Sequence, residues 1–146
     1  MKKITFVLAI ALVLFTSAAF SQDYDSALRT AKKENKPVLL YFFSKACYYC
    51  NVMDVMTLGD KGIAATLKKD FVFLRVDVDK SEDLGRLYRI SGTPSSWFLA
   101  PSGKRVGQLP GYIEPEDYKL VLEYMKGGHY KEMALQDYIK KASTKR

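Results

Sequence analysis

Cys47 and Cys50 are the only cysteines in the 146-residue sequence, and they flank Tyr48-Tyr49 directly after an apolar run. Thiols at this spacing can close into a small disulfide and reopen by exchange with a thiol of another protein. A bridge across so short a loop removes little entropy from the unfolded chain, so stapling is a poor reason for it. A structural zinc site takes four ligands, and His129, the sole histidine, is the only non-carboxylate that joins the two thiols. Cys50 is followed by Asn51, so the c-type haem attachment pattern is absent. Met53, Met56 and Met125 fall at helical spacing and read as core filling, not as copper ligands. Asp77 and Asp79 alternate at a strand end and are expected to turn toward solvent, with no catalysis assigned. Disulfide exchange is the favoured chemistry. A two-thiolate module that binds or delivers a soft ion such as Cu(I) is the alternative from a different class.

The elements that must hold the pair follow from periodicity. Tyr24, Ala27, Leu28 and Ala31 predict an amphipathic helix capped by Asp23 and ended before Pro37. Val38 to Phe43 is continuously apolar, as expected of a strand covered on both faces. A helix is expected to start within the Cys pair, with Val52, Val55 and Met56 along it and Gly59 stopping it. A short helix over Ile63 to Lys69 precedes a second buried strand, Phe71 to Val78. Ser81 is placed to cap a helix that carries Leu84, Leu87 and Tyr88 on one face. Gly92-Thr93-Pro94 opens a third strand, Ser96 to Ala100, and Pro101-Ser102-Gly103 turns it back as an antiparallel strand, Lys104 to Leu109. Pro115 starts a helix with Tyr118, Val121, Leu122 and Met125 inward, which Gly127-Gly128 ends. A further helix is expected from about Tyr130 to Lys141. Strands alternating with helices and closing on a hairpin predict an α/β fold: a mixed central sheet with helices on both faces.

The N-terminus carries a different signal. Lys2-Lys3 precede an apolar stretch from Ile4 to Phe15, and the small residues Thr16-Ser17-Ala18-Ala19 follow. This is the pattern of a secretory signal peptide spanning residues 1–21, with cleavage after Ser21 and, as second choice, after Ala19. Residues 22–146 then form one domain, expected in the periplasm or secreted; a retained membrane anchor is the alternative. Losing Lys2 and Lys3 takes the net charge from +7 to +5. The remaining lysines sit in short helical stretches or near the C-terminus without a basic-aromatic motif, so no nucleic-acid partner is expected.

The order of elements, together with Lys36-Pro37-Val38-Leu39-Leu40-Tyr41-Phe42, Cys47-Tyr48-Tyr49-Cys50, Val76-Asp77-Val78-Asp79 and Gly92-Thr93-Pro94, resembles the thioredoxin fold. Pro101-Ser102-Gly103-Lys104 belongs to the same pattern, and the match runs from about residue 23 to residue 126, leaving the last helix as an addition. Leu109-Pro110-Gly111-Tyr112, that helix and the leader are most similar to exported SoxW-type thioredoxin-like proteins. The resemblance implies that Cys47 is the nucleophile and Cys50 the resolving thiol. It implies further that Pro94 is cis and faces the pair, and that Thr93 offers backbone contacts to a substrate. Tyr48 and Tyr49 would give an incoming polypeptide an aromatic platform. Implied function is an exported thiol–disulfide oxidoreductase, a monomer without a cofactor, working on cysteine-containing exported proteins. The favoured direction is reduction, with electrons from a membrane-bound donor; a disulfide-donating oxidant is the rival. Three departures bear on this. Ala46 precedes the first cysteine, no proline or histidine lies between the pair, and Tyr41 occupies the strand position where thioredoxin has a buried acid.

Overall fold

The computed structural model describes residues 18–144. The expected signal peptide therefore lies outside the described residues, except for positions 18–21, which open the first helix. That helix, α1 (Ala18–Glu34), starts before Asp23, so Asp23 is not its cap. Its inward residues are nonetheless those the spacing indicates: Ala27 and Ala31 are buried, and Tyr24 and Leu28 pack beside them. Asn35 takes a left-handed conformation and Lys36 N–H reaches back to the Ala31 carbonyl at 3.0 Å, so the chain turns into β1 before Pro37.

β1 (Val38–Phe43) and β2 (Val72–Asp77) pair in parallel, and β3 (Ser95–Leu99) pairs antiparallel with both β1 and β4 (Arg105–Pro110). The sheet order is β2-β1-β3-β4, a mixed sheet with β1 inside it. That position explains the uninterrupted apolar run of β1. Leu39 and Tyr41 face a core built with α2 (Tyr48–Met56), α3 (Lys61–Asp70) and α5 (Pro115–Lys126). Val38, Leu40 and Phe42 face a second core with α1 and α4 (Glu82–Leu87). Helices thus cover both faces, as expected of this fold class.

Several elements depart from the sequence reading. β2 is an edge strand, so Val72, Phe73 and Leu74 are only half-buried and Arg75 is exposed. On α2 the inward residues are Cys50 and Met53, whereas Val55 and Met56 point to solvent; Met56 is therefore not core filling. Ser81 precedes α4 but makes no capping bond, and its buried hydroxyl has no partner. α4 is six residues long; Leu84 and, at its C-cap, Tyr88 turn inward, whereas Leu87 is exposed. The last helix is shorter than expected. Gly128 at φ 71 ends α5, a 3-10 turn covers His129–Lys131, and α6 (Leu135–Ser143) starts only after the extended Ala134. At the hairpin, Gly103 takes φ 85, the left-handed conformation its turn requires.

Candidate active site

Ser44-Lys45-Ala46 leads from the end of β1 to Cys47, and a Cys47 N–H to Ser44 carbonyl bond of 3.2 Å tightens this turn. Cys47 then occupies the N-cap of α2 with extended backbone angles. Its sulfur accepts a hydrogen bond from the Cys50 backbone N–H at 3.1 Å, one of the donors that a helix start leaves without an internal partner. Cys47 and Cys50 form a disulfide, with Cα atoms 5.2 Å apart. The two sulfurs differ in access: Cys47 is half-buried, while Cys50 is 1% exposed. One sulfur is partly exposed at the positive end of a helix; the other is covered.

Four loops meet at this end of the sheet. The parallel register sets Phe43 beside Asp77, and the Val78 N–H bonds the Phe43 carbonyl at 2.9 Å. Ser44 Oγ donates to Asp79 Oδ2 at 2.8 Å, tying the segment before Cys47 to the segment after β2. Phe42 pairs with Ser95, so Thr93 and Pro94 fall at the same end as Cys47. The Thr93–Pro94 bond is cis, and Pro94 is buried. Gly111 N–H donates to the Pro94 carbonyl at 2.8 Å, which brings Leu109-Pro110-Gly111-Tyr112 alongside. Thr57, at the end of α2, closes the arrangement through a 2.7 Å bond from its hydroxyl to the Ile113 carbonyl. Tyr48 and Tyr49 lie in the first turn of α2, both exposed, with ring centroids 5.4 Å apart in an edge-to-face pair.

Beneath the disulfide, Tyr41 is fully buried and its hydroxyl donates to the Cys50 carbonyl at 3.4 Å. Burial, reinforced by the nearby Asp54 carboxylate, pushes the Tyr41 hydroxyl well above the ordinary tyrosine value. Arg75 lies opposite Tyr41 in the strand register and spreads its guanidinium over two rings, 5.1 Å from the Tyr41 centroid and 4.7 Å from that of Phe43. Both terminal nitrogens donate to Asp54 on α2, at 2.8 and 2.7 Å. The helix that carries the cysteines is thus tied to the sheet by a forked ion pair. Sequence reasoning flagged Tyr41 but passed over Arg75 and Asp54. The signal was a lone arginine within Val72-Phe73-Leu74-Arg75-Val76, which must reach solvent or a counter-ion. Asp77 likewise differs from its expected exposure: it is buried and accepts the Asp79 N–H at 3.1 Å.

Among the described residues no three His, Cys, Asp or Glu side chains gather into a metal-binding group. His129 instead stacks on Tyr138 with centroids 4.9 Å apart.

Comparison with known proteins accords with this geometry. The family described as "Thioredoxin-like domain" matches residues 24–126. The solution structure of a thioredoxin from Thermus thermophilus is 34% identical with a TM-score of 0.62, over 68% of this chain and 81% of that one. A thioredoxin-fold protein from Helicobacter pylori superposes with a TM-score of 0.69 at 22% identity, over 77% of this chain and 88% of that one. The thiol:disulfide interchange protein DsbD of Ralstonia nicotianae is 32% identical over 97 residues, covering 64% of this chain and 16% of that protein. The chain spans only 14%, 12% and 23% of the length of three other curated relatives. A thioredoxin fold bearing a Cys-x-x-Cys disulfide, with these relatives, supports thiol–disulfide oxidoreductase activity at the general level. The chain belongs to the thioredoxin-like domain family.

Proposed function

We propose that the chain is an exported, SoxW-type thioredoxin-like reductase that opens disulfides in cysteine-containing exported proteins. Residues 1–21 serve as its signal peptide, and residues 22–146 work as a monomer in the periplasm or outside the cell. The observation that carries this reading is the asymmetry of the pair: Cys47 partly open at a helix N-terminus, Cys50 buried one turn in. With the pair reduced, the Cys47 thiolate attacks a substrate disulfide, forming a Cys47–substrate bond and releasing one substrate thiol. The Cys50 thiolate then attacks the Cys47 sulfur, releases the second substrate thiol and leaves the Cys47–Cys50 disulfide. Two electrons and two protons pass to the substrate. A dithiol on a membrane-bound donor restores the pair by the same two steps in reverse. Thr93 and Pro94, at the same end of the sheet, flank the substrate chain, and Tyr48 and Tyr49 support it. The interchange function named for the DsbD relatives favours this reading, and the leader pattern of residues 1–21 favours export.

The test is the equilibrium of the Cys47–Cys50 couple against glutathione, paired with fractionation of cells that express the full chain. A reductase is expected to show a potential near or below about −270 mV, in an exported fraction that has lost its first 21 residues. A potential near about −120 mV overturns the direction in favour of an oxidant. Retention of the uncleaved chain in the cytosol overturns the export.

A further inference from the structure

Helix α2 is apolar on the side that faces away from the protein. Among the described residues five large hydrophobic side chains are exposed, and four of them lie on this nine-residue helix: Tyr48 at 73%, Tyr49 at 60%, Val55 at 72% and Met56 at 55%. Val52, half-exposed, sits among them. At 3.6 residues per turn the five fall within an arc of about 120°, with the inward Cys50 opposite its centre and the inward Met53 next to one edge. They make one stripe about 12 Å long that starts at Cys47. It carries no charge, because Asp54 lies on another side and is held by Arg75. Single exposed apolar residues need no explanation on a soluble protein, but a continuous run down one short helix does.

We propose that this stripe is a docking surface for an apolar segment next to the reacting cysteine of the disulfide partner. The inference rests on the exchange reading above and extends it to the kind of partner. Exchange chemistry points to the occupant: a protein linked to Cys47 has its sulfur about 2 Å from the Cys47 sulfur, so part of its chain lies beside the turn bearing Tyr48 and Tyr49. From there Val52, Val55 and Met56 continue the same apolar face for two further turns. A partner whose cysteine is followed by uncharged, apolar residues covers the whole stripe, whereas a polar or charged segment would leave it in water or lose its own hydration. Specificity then comes from the outer face of the helix, not only from the loops around the disulfide.

The test uses the reduced full chain and three mixed disulfides with thionitrobenzoate: glutathione, a single-cysteine peptide with Leu, Val and Phe beside the cysteine, and a peptide with Ser, Gly and Asn there. Release of thionitrobenzoate reports attack by Cys47. The apolar peptide is expected to react about tenfold faster than the polar one, a preference that a Val55→Ser/Met56→Ser protein loses and a Leu87→Ser protein keeps. Equal rates for the two peptides, or a preference that survives Val55→Ser/Met56→Ser, overturns the docking surface. So does sedimentation of the chain as a dimer that the double substitution makes monomeric, or its capture by phosphatidylcholine vesicles through the same residues. Failure to react with the glutathione disulfide as well would count against the exchange reading itself, which separates the two claims.

Discussion

Replacing Arg75 removes two interactions at once and tests how the cysteine-bearing helix is held. The guanidinium makes a forked pair with Asp54 and covers the rings of Tyr41 and Phe43. The pair is partly solvated, with side chains 40% and 31% exposed, so its contribution belongs in the surface range of about 0.2–1 kcal/mol. Covering the aromatic faces adds about 0.5–1 kcal/mol, counted once because a single cation serves both rings. Arg75→Ala is therefore expected to cost about 1–2 kcal/mol. Arg75→Lys keeps the charge but loses the fork and the flat stacking, and is expected to cost about half as much. For a domain of this size, Arg75→Ala should lower Tm by about 3–10 °C. Urea denaturation of the oxidised protein, followed by circular dichroism across the Asp54→Ala, Arg75→Ala and doubly substituted proteins, isolates the pair. Its coupling is expected at about 0.3–1 kcal/mol and should shrink in 1 M NaCl, which screens exposed charges. Hydrogen exchange should show α2 amides losing more protection than those of α5. A coupling indistinguishable from zero, with Arg75→Ala as stable as the parent, would refute the tether.

Further outcomes follow from the same framework. Thr57→Val leaves the Ile113 carbonyl without its 2.7 Å partner and should cost about 1–3 kcal/mol in a urea melt. Gly59→Ala places a Cβ 2.5 Å from the Val55 carbonyl oxygen, so the turn after α2 must shift; a loss of about 1–3 kcal/mol is expected by the same assay. Asp60 accepts the Ile63 and Gly62 N–H groups and pairs with Lys119, which together hold its carboxyl below the usual carboxylate range. Its contribution is present above the unfolded carboxylate value and lost as pH falls through the lower folded one, so Asp60→Asn should flatten the fall of the urea midpoint below about pH 4. Burial raises the hydroxyls of Tyr41, Tyr88 and Tyr118 above the ordinary tyrosine value. Stability should hold below about pH 10 and fall above it, as the unfolded chain releases protons that the fold retains. A titration at 295 nm should then show a late phase coinciding with loss of the circular dichroism signal.

The legible parts of the fold were those where one residue pattern has one structural solution. Val38 to Phe43 is apolar at every position, which fits a strand covered on both sides, and it is the inner strand β1. The cysteines at the strand-to-helix junction and Gly92-Thr93-Pro94 before β3 were legible for the same reason. Pairing was not: nothing in Val72 to Val76 says that β2 is an edge strand or that Arg75 meets Tyr41, because register belongs to the sheet. Helix α2 shows a second limit. Cys50, Val52, Met53, Val55 and Met56 cover most of its circumference, so periodicity leaves its inward face open between two choices. The structure turns Cys50 and Met53 inward and leaves Val55 and Met56 outside. Ser81 shows that a capping residue type is not yet a cap, since its hydroxyl is buried without a partner.

The most direct test of the account is the mass of the adduct formed when the Cys50→Ser protein, reduced, meets a protein that carries an accessible disulfide. With the resolving thiol gone, the first step should proceed and the second should stop. Intact mass and peptide mapping should find the substrate bound through Cys47, dithiothreitol should release it, and Cys47→Ser should form none. An equal adduct on Cys50 of the Cys47→Ser protein, or none with Cys47 intact and reduced, would contradict the division into a nucleophile at Cys47 and a buried resolver at Cys50.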